Sequence, residues 1–322
     1  MTKKIFRPFG LLIAAATAVA LAGCAPQESS EAESKPTIVA TTNVWASVLS
    51  QVAGDNFDVI ALIEDPTMDP HSYEASARDQ LAVSEASMFV MNGGGYDDFA
   101  LTLASAAGIE AFNIYETHES AHADEPADED AHEDEHADEH ADHDHEGHDH
   151  AHDGSDHIWY DFHVAMHMAS LFAEEMAKLQ PANAETFTAN AETFRSAMET
   201  VEQRRDALVD SSVHYFEAHP LAALLFAELG FENLTPEGFA EAEEAELEPS
   251  VAIVAEAQEL IRSGELSFLA VNQQVTSPTL ESLKQLAEAE GVPVLEFGEL
   301  LPTGMSYQQW ADSVLDLIQS VS

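Results

Sequence analysis

The stretch 131–154, AHEDEHADEHADHDHEGHDHAHDG, limits most strongly what this chain can fold into. It has no apolar side chain larger than Ala, so it cannot bury a core, and we predict a disordered loop over 118–154. Any folded lobe must therefore be built from the sequence on either side. The stretch is nevertheless dense in imidazoles, many of them unprotonated and able to bind metal at neutral pH.

The composition excludes several classes of protein. A length of 322 residues fits two ordinary domains or one large one, and a hydrophobic fraction of 45% permits a sizeable core. The formal net charge of −49 repels nucleic acid and attracts cations, so we predict no nucleic-acid partner. With one cysteine in the chain, neither a disulfide framework nor a thiolate metal cage can form.

The first 23 residues have the pattern of a signal peptide, with a basic start and then an apolar run. This run is short for a transmembrane helix. It ends in LAGC, which resembles the lipobox of bacterial lipoproteins, and that resemblance implies a lipid on Cys24. We therefore expect a lipidated tether over 24–35 and an extracytoplasmic location at the cell membrane. The alternative is a simple secretory signal with an incidental cysteine.

The rest of the chain alternates β-branched runs with helical periodicities, which predicts an α/β fold with mainly parallel sheets. Examples are a strand over 37–41, a helix from Val44 to Ala53, and a further strand over 109–116. The alternation repeats in the second half, so we predict an N-terminal lobe over 36–180 and a C-terminal lobe over 211–322. An apolar stripe indicates a linker helix over 181–210, and about 30 helical residues would span about 45 Å.

Three histidines outside the His- and acid-rich segment 122–154, called the tract below, occur in contexts that look like ligand positions: His71, His157 and His219. His71 lies in a loop after a strand, where open α/β sheets bind ligands. For any one of them the alternative is an ordinary loop or helix-capping histidine. His163 and His167 share a helix face but lack the Glu of H-E-x-x-H, so we assign that pair to packing or solvent. We assign His214 to the surface.

Four phrases resemble a known family, the zinc/manganese solute-binding proteins of bacterial ABC importers. They are DPHSYE, SDHIWYDF, EAHPLAALLFAELGFENLTPEGF and VPVLEFGELLPTGMSYQQW, and the likeness covers nearly the whole chain from about Pro36 to Val321. The resemblance implies two α/β lobes, each with a mainly parallel sheet flanked by helices, joined by one long rigid helix. It implies an ABC permease with its ATPase as partner, and we expect a monomer.

Carried onto this chain, the family's metal ligands fall on His71, His157, His219 and Glu299. Ser155-Asp156 replaces the usual Asp-Pro, and related chains often have Glu where His219 stands. Three imidazoles and one carboxylate form a closed tetrahedral set suited to Zn²⁺, whereas Mn²⁺ prefers more oxygen. Asp69 and Asp156 are candidate acceptors for the outer N–H of the imidazoles, or alternatively cap their loops.

The tract itself is predicted to hold several weak metal sites, because a flexible segment must be ordered for each cluster it forms. We suggest that it gathers zinc near the cleft or senses its level, the alternative being a solvated acidic loop. Its nine histidines are His122, His132, His136, His140, His143, His145, His148, His150 and His152.

Two other functions use the same residues. If Glu299 were not a ligand, three imidazoles and a water would resemble a catalytic zinc site, with Glu74 as the local candidate for a general base. No nucleophile elbow, H-E-x-x-H or phosphate loop accompanies them, so no enzyme is expected. A Mn²⁺-binding protein, a surface adhesin or a metal buffer of the same fold remains open.

Overall fold

A computed structural model describes residues 35–123, 155–244 and 247–321. The predicted signal peptide, Cys24, nearly all of the tether and tract residues 124–154 lie outside these ranges. The N-terminal elements are β1 (Thr37–Thr42), α1 (Asn43–Ala53), β2 (Asp58–Ile63), α2 (Ala77–Glu85), β3 (Met88–Met91), α3 (Phe99–Ala107), β4 (Ala111–Asn113) and α4 (Ile114–Ala123). Two long helices follow, α5 (Phe162–Leu179) and α6 (Ala184–Asp206). The C-terminal elements are β5 (His214–Glu217), α7 (Ala223–Glu228), β6 (Glu232–Asn233), α8 (Phe239–Glu244), α9 (Val251–Ser263), β7 (Phe268–Asn272), α10 (Pro278–Glu290), β8 (Val294–Phe297) and α11 (Tyr307–Gln319).

The two sheets have the same topology. The first has the strand order β2-β1-β3-β4 and the second β6-β5-β7-β8, with all pairs parallel. In each sheet the strand order changes direction at the strand that comes first along the chain, β1 or β5. Ligands of open α/β sheets bind at such points, beyond the carboxyl ends of the strands. The predicted α/β class with two similar lobes is confirmed.

The central strands are apolar on both faces, as expected for parallel strands covered by helices. In β1, Ile38, Val39 and Ala40 are completely buried, and every residue of β7 is buried. Their side chains belong to three apolar clusters. Two of these each belong to one lobe, one around Phe89 and Leu103 and the other around Phe216 and Leu283.

The third and largest apolar cluster is shared by both lobes. It extends from Val48 of α1 through Phe194 of α6 to Phe226 of α7 and Trp310 of α11 without interruption. The long helix α6 packs on α1, α5 and α11, so it contacts elements from both ends of the chain. It has 23 residues, about 35 Å of helix, which is shorter than the 45 Å expected, because Pro181–Asn183 form a separate 3₁₀ turn and the helix ends at Asp206, four residues before the predicted end.

The structure corrects the sequence interpretation around residue 114. The stretch 109–116 was predicted to be a strand, but only Ala111–Asn113 pairs with the sheet and α4 begins at Ile114. The Asn113 side chain accepts a hydrogen bond from the Glu116 backbone N–H at 3.2 Å, which caps the new helix. Since α4 continues to Ala123, helix covers the first residues of the range predicted to be disordered.

Within the part of the chain that the structure describes, no helix is both long and apolar enough to cross a bilayer.

Candidate metal centre

The structure brings together the four residues that the family resemblance singled out. His71, His157, His219 and Glu299 each present one ligand atom, and these atoms lie within 4.8 Å of one another. His71 follows β2, His157 precedes α5, His219 follows β5 and Glu299 follows β8. The N-terminal lobe therefore supplies two of these side chains and the C-terminal lobe two, at the carboxyl edges of both sheets.

The His71 loop is fastened by its own side chains. The Asp69 carboxylate accepts a hydrogen bond from the His71 backbone N–H at 2.9 Å, as in an Asx turn. Further along, the Tyr73 hydroxyl donates to Asp79 at 2.8 Å, and Asp79 forms a capping box with Ser76 at the start of α2. The loop is thus tied to the beginning of a helix on one side of His71.

His157 is completely buried and rests on a buried polar network. The Trp45 indole N–H donates to the Asn92 side-chain oxygen at 2.9 Å, and the Asn92 amide donates to the Asp156 carbonyl at 2.8 Å. Asn92 is itself held by Asp97, whose carboxylate accepts the Asn92 backbone N–H at 2.7 Å. Because these groups are buried and paired, the backbone next to His157 has little freedom to move.

His219 lies in a tight turn that a neighbouring carboxylate closes. The Leu221 backbone N–H donates to the His219 carbonyl at 2.7 Å, and the Ala222 N–H donates to the buried Glu217 carboxylate at 2.7 Å. These two bonds fold residues 217–222 back over the end of β5. The His219 ring is thereby directed towards the His71 and His157 rings, whose centroids lie 5.8 and 5.3 Å away.

Glu299 is completely buried, and both of its carboxylate oxygens accept hydrogen bonds. The Tyr96 hydroxyl donates to Oε2 at 2.9 Å, and the Asn272 amide donates to Oε1 at 2.5 Å. Oε2 also lies 3.5 Å from His71 Nε2. Sequence reasoning missed Tyr96 and Asn272. Their only signal was a polar residue at the end of a buried strand, as for Asn272, or in the loop after one, as for Tyr96.

The loop that carries Glu299 is held mainly by the opposite lobe. The Tyr160 hydroxyl donates to the Gly298 carbonyl at 2.8 Å. Asn43 donates to the Leu301 carbonyl and accepts from the Leu301 N–H, both at 2.9 Å. The position of the carboxylate therefore depends on contacts across the cleft.

Burial sets the protonation of the cluster. It lowers the pKa of His157 well below its ordinary value, and the neighbouring His219 and His71 add to the shift. Burial and the neighbouring His71 lower the pKa of His219 to about 4. Burial raises the pKa of Glu299, opposed by His71 and by the Asn272 and Tyr96 hydrogen bonds. His157 and His219 are therefore neutral at pH 7, in the form that binds metal.

The cluster lacks positive charge and hydrogen-bond donors for its nitrogens. In the described parts of the chain, His71 Nε2 and both ring nitrogens of His219 are buried without a hydrogen-bond partner, although such atoms are normally satisfied. The buried Glu299 carboxylate has no Lys or Arg in ion-pair contact among those same residues. A divalent cation would satisfy the nitrogens and supply the missing charge, so the donor set fits a metal ion.

A cavity of about 380 Å³ opens beside the cluster and provides a route to it. His71 and His219 form part of its lining, and Asp69, Glu243 and Glu248 add three carboxylates to it. Carboxylates that line a cleft raise the local concentration of cations. The surroundings of the cluster therefore favour a positively charged ligand over an anion.

The remaining predicted site residues have different positions. Asp156 Oδ1 lies 3.0 Å from His157 Nδ1, so Asp156 stays a candidate outer acceptor for that ring. Asp69 instead contacts the backbone of His71, which is the loop-capping alternative. Glu74 is exposed, whereas the buried Glu299 occupies the fourth position of the cluster, so the arrangement does not favour the hydrolase.

The other described histidines lie apart from the cluster. His163 is exposed, with Nδ1 3.9 Å from Glu202, and His214 Nε2 lies 3.2 Å from Glu232. His118, which sequence reasoning overlooked, is buried in α4 with its ring 5.9 Å from that of His167 in α5. Of the nine tract histidines, His122 falls within the backbone of α4 and the other eight lie outside the described residues.

Two parallel-sheet lobes that enclose three imidazoles and a carboxylate between their strand ends define a class of protein, a two-lobe metal-binding receptor. Comparison with known families agrees with this class. The chain belongs to the family described as zinc-uptake complex component A, periplasmic, whose model matches residues 38–321. This is a family of substrate-binding proteins rather than of enzymes, and it confirms the resemblance drawn from the four phrases.

Individual relatives are distant. The metal ABC transporter substrate-binding lipoprotein ScbA of Streptococcus cristatus is 25% identical over 176 residues, which cover 52% of this chain and 50% of that protein. The match thus spans about half the length of that relative.

Solved structures match over more of the chain. The periplasmic zinc-binding protein TroA from Treponema pallidum is 18% identical, with 89% of this chain and 99% of that chain covered at a TM-score of 0.67. The solute-binding protein FpvC from Pseudomonas aeruginosa in complex with Mn²⁺ is 20% identical, with 89% and 100% covered at a TM-score of 0.64. At these identities the likeness establishes the fold.

Proposed function

We propose that this chain captures Zn²⁺ between its lobes through His71, His157, His219 and Glu299, and delivers the ion to an ABC permease with its ATPase. The observation that carries the proposal is the convergence of these four ligand atoms, within 4.8 Å of one another. Neutral imidazoles and a buried carboxylate bind a cation without prior loss of a proton from the two deeply buried rings. No step of catalysis is needed, because capture and release of the ion are the whole activity.

The donor set supports zinc over the other candidates. Zn²⁺ favours four ligands drawn from nitrogen, sulfur and oxygen, whereas Mn²⁺ is matched by oxygen-rich sets. Solved neighbours are described with Zn²⁺, Mn²⁺ and Ni²⁺, so the fold alone does not select the ion. Competition between Zn²⁺ and Mn²⁺ for the metal-free protein, read by metal analysis, tests the choice directly, and preferential retention of Mn²⁺ would refute it.

Single substitutions test the ligand assignment. We expect a loss of Zn²⁺ affinity of about 100-fold or more in each of three variants, His71→Ala, His157→Ala and His219→Ala. Losing a residue that only hydrogen-bonds to a metal ligand typically costs about 10–100-fold, and losing the ligand itself should cost more. Affinity is measured by competition with a chromophoric chelator. His163→Ala is the matched control, since that ring is exposed and lies outside the cluster, and it should leave the affinity unchanged. Unchanged affinity in all three cluster variants would refute the assignment.

Transport and location need separate tests. Cells that lack the chain should accumulate less zinc under zinc limitation, and the wild type should restore uptake while a His71→Ala/His157→Ala variant should not. Tight binding without any effect on uptake would indicate a metal buffer or adhesin instead.

For the lipid anchor, Cys24→Ser should move the protein from the membrane fraction to the soluble fraction. A protein that stays with the membrane would contradict the predicted lipidation.

A further inference from the structure

The two oxygens of Glu299 are not equivalent. Oε2 faces the imidazoles, 3.5 Å from His71 Nε2, and also accepts the Tyr96 hydroxyl at 2.9 Å. Oε1 accepts the Asn272 amide at 2.5 Å. Each oxygen is therefore held by one donor, one from each lobe, and together the two donors fix the plane of the carboxylate.

The direction of the Asn272 amide is fixed by its second hydrogen bond. Its side-chain oxygen accepts the Gln274 backbone N–H at 2.8 Å, so its NH₂ group must be the part that faces Glu299. Asn272 is 3% exposed and ends β7, which leaves the amide little room to rotate. It is therefore a built-in donor for Oε1.

Tyr96 is equally constrained. It is 3% exposed, with its ring centroid 4.9 Å from that of His71 and 4.8 Å from that of Trp159, both edge to face. A tyrosine hydroxyl carries its proton at neutral pH, so it faces Oε2 as a donor. One lone pair of Oε2 is taken by this hydroxyl, and the other remains for a metal ion.

A carboxylate can bind a metal ion through one oxygen or through both. Oε2 faces the imidazoles and Oε1 faces Asn272, so binding through both oxygens would require the carboxylate to turn until Oε1 also faces the ion, which would strain or break the Asn272 hydrogen bond. An unsatisfied buried donor is costly. Binding through Oε2 alone keeps both hydrogen bonds and gives three nitrogens and one oxygen, a set of four.

We propose that Asn272 and Tyr96 restrict Glu299 to ligation through one oxygen, and that this four-ligand limit selects Zn²⁺ against Mn²⁺. The inference rests on the proposed function. Zn²⁺ is satisfied by four ligands in a tetrahedron, whereas Mn²⁺ prefers an oxygen-rich, higher-coordinate shell. Asn272 and Tyr96 are positioning residues, because they act through Glu299 and not on the ion.

The test uses Co²⁺ as a probe on the full chain, because its visible absorption is strong in tetrahedral sites and weak in five- or six-coordinate sites. Wild-type protein should give the strong tetrahedral spectrum. Asn272→Leu keeps the side-chain size but removes the donor, so Oε1 becomes free to bind. Its Co²⁺ absorption should weaken, and the ratio of Zn²⁺ to Mn²⁺ affinity should fall by about tenfold or more.

Two further variants serve as controls, one for disturbed folding and one for the loss of a neighbouring amide. Asn272→Ala repeats the test with a smaller side chain, in case Leu disturbs folding of the metal-free protein. Gln273→Ala removes the adjacent amide, which is exposed and donates to the Glu296 carbonyl at 3.0 Å, and it should change neither readout.

The outcomes separate this inference from the proposal beneath it. A wild-type spectrum of five- or six-coordinate Co²⁺ with tight Zn²⁺ binding would overturn the four-ligand limit and leave the proposed function standing. An unchanged spectrum and unchanged metal ratio in both folded Asn272 variants would do the same. Absence of tight Zn²⁺ binding in the wild type would overturn the proposed function, and this inference with it.

Discussion

The contact between Asn43 and Leu301 joins the start of α1 to the loop that carries Glu299, and its removal should be measurable in stability. Asn43→Ala deletes both hydrogen bonds to Leu301, the amide N–H to the Leu301 carbonyl and the Leu301 N–H to the amide oxygen, each 2.9 Å long, and a longer one of 3.4 Å to the Glu64 carbonyl. Each of the two Leu301 bonds lost leaves one Leu301 backbone group without its partner, which costs about 1–2 kcal/mol. Leu301 is 2% exposed, so water replaces the lost partner poorly. We expect a loss of about 2–4 kcal/mol in the free energy of unfolding.

Guanidinium unfolding of the metal-free protein measures this loss as a lower midpoint at unchanged slope. Zn²⁺ affinity should also fall by about tenfold, because the Glu299 loop loses a support beside the site. Asn183→Ala is the matched control, since among the described residues that amide bonds only to Gln180, three residues away, and should cost less than about 1 kcal/mol. If Asn43→Ala is no more harmful than Asn183→Ala, the reasoning that the lobes hold each other's site loops is wrong.

Three further predictions concern protonation, backbone conformation and the tract. The pKa of His219 is about 4 in the folded protein and about 6.5 unfolded, so the unfolded chain binds the proton first as the pH falls. Stability present above pH 6.5 should be lost towards pH 4, by about 2 kcal/mol at pH 5, in denaturant unfolding of the metal-free protein. His219→Gln should lessen this pH dependence, and an equal dependence would contradict the shift. Gly93 has φ +81°, and a Cβ there would lie 1.9 Å from the Asn113 side-chain oxygen, whereas at Gly95, with φ +101°, it would meet nothing within 4 Å. Gly93→Ala should therefore cost about 2 kcal/mol more than Gly95→Ala in thermal or chemical unfolding, and equal costs would show that Asn113 can move aside. Replacing 124–154 by a short Gly-Ser linker should abolish weak zinc binding and keep one tight site in calorimetry, so loss of the tight site would place a main ligand in the tract.

The fold could be read from the sequence because its signals are long and regular. The buried run of β1 and the periodicity of α1 each span enough residues to predict their type. The short stretch after residue 109 could not be resolved, because β4 has three residues and the Asn113 cap starts a helix inside an apolar run. The start of α4 is set by a capping hydrogen bond, and the periodicity of apolar residues does not report such bonds.

The site was predictable only in part, for a chemical reason. The chain has 16 histidines, and once the tract is set aside few remain, so the contexts of His71, His157 and His219 stood out. The chain also has 60 acidic residues, so Glu299 could be chosen only through the family resemblance. The place of Asn272 at the end of a buried strand does not point to Glu299, because its role comes from a contact with a loop 27 residues further along the chain.

The shared apolar cluster has a consequence for how this molecule melts. Its members come from both sheets and from the helices between them, so unfolding either lobe would expose the other lobe's packed aromatic residues to water. Two architectural halves thus make a single thermodynamic domain, with one cooperative heat-absorption peak expected in place of two. Neither half should persist as an independent fragment, and a gene cut at α6 should yield two insoluble products.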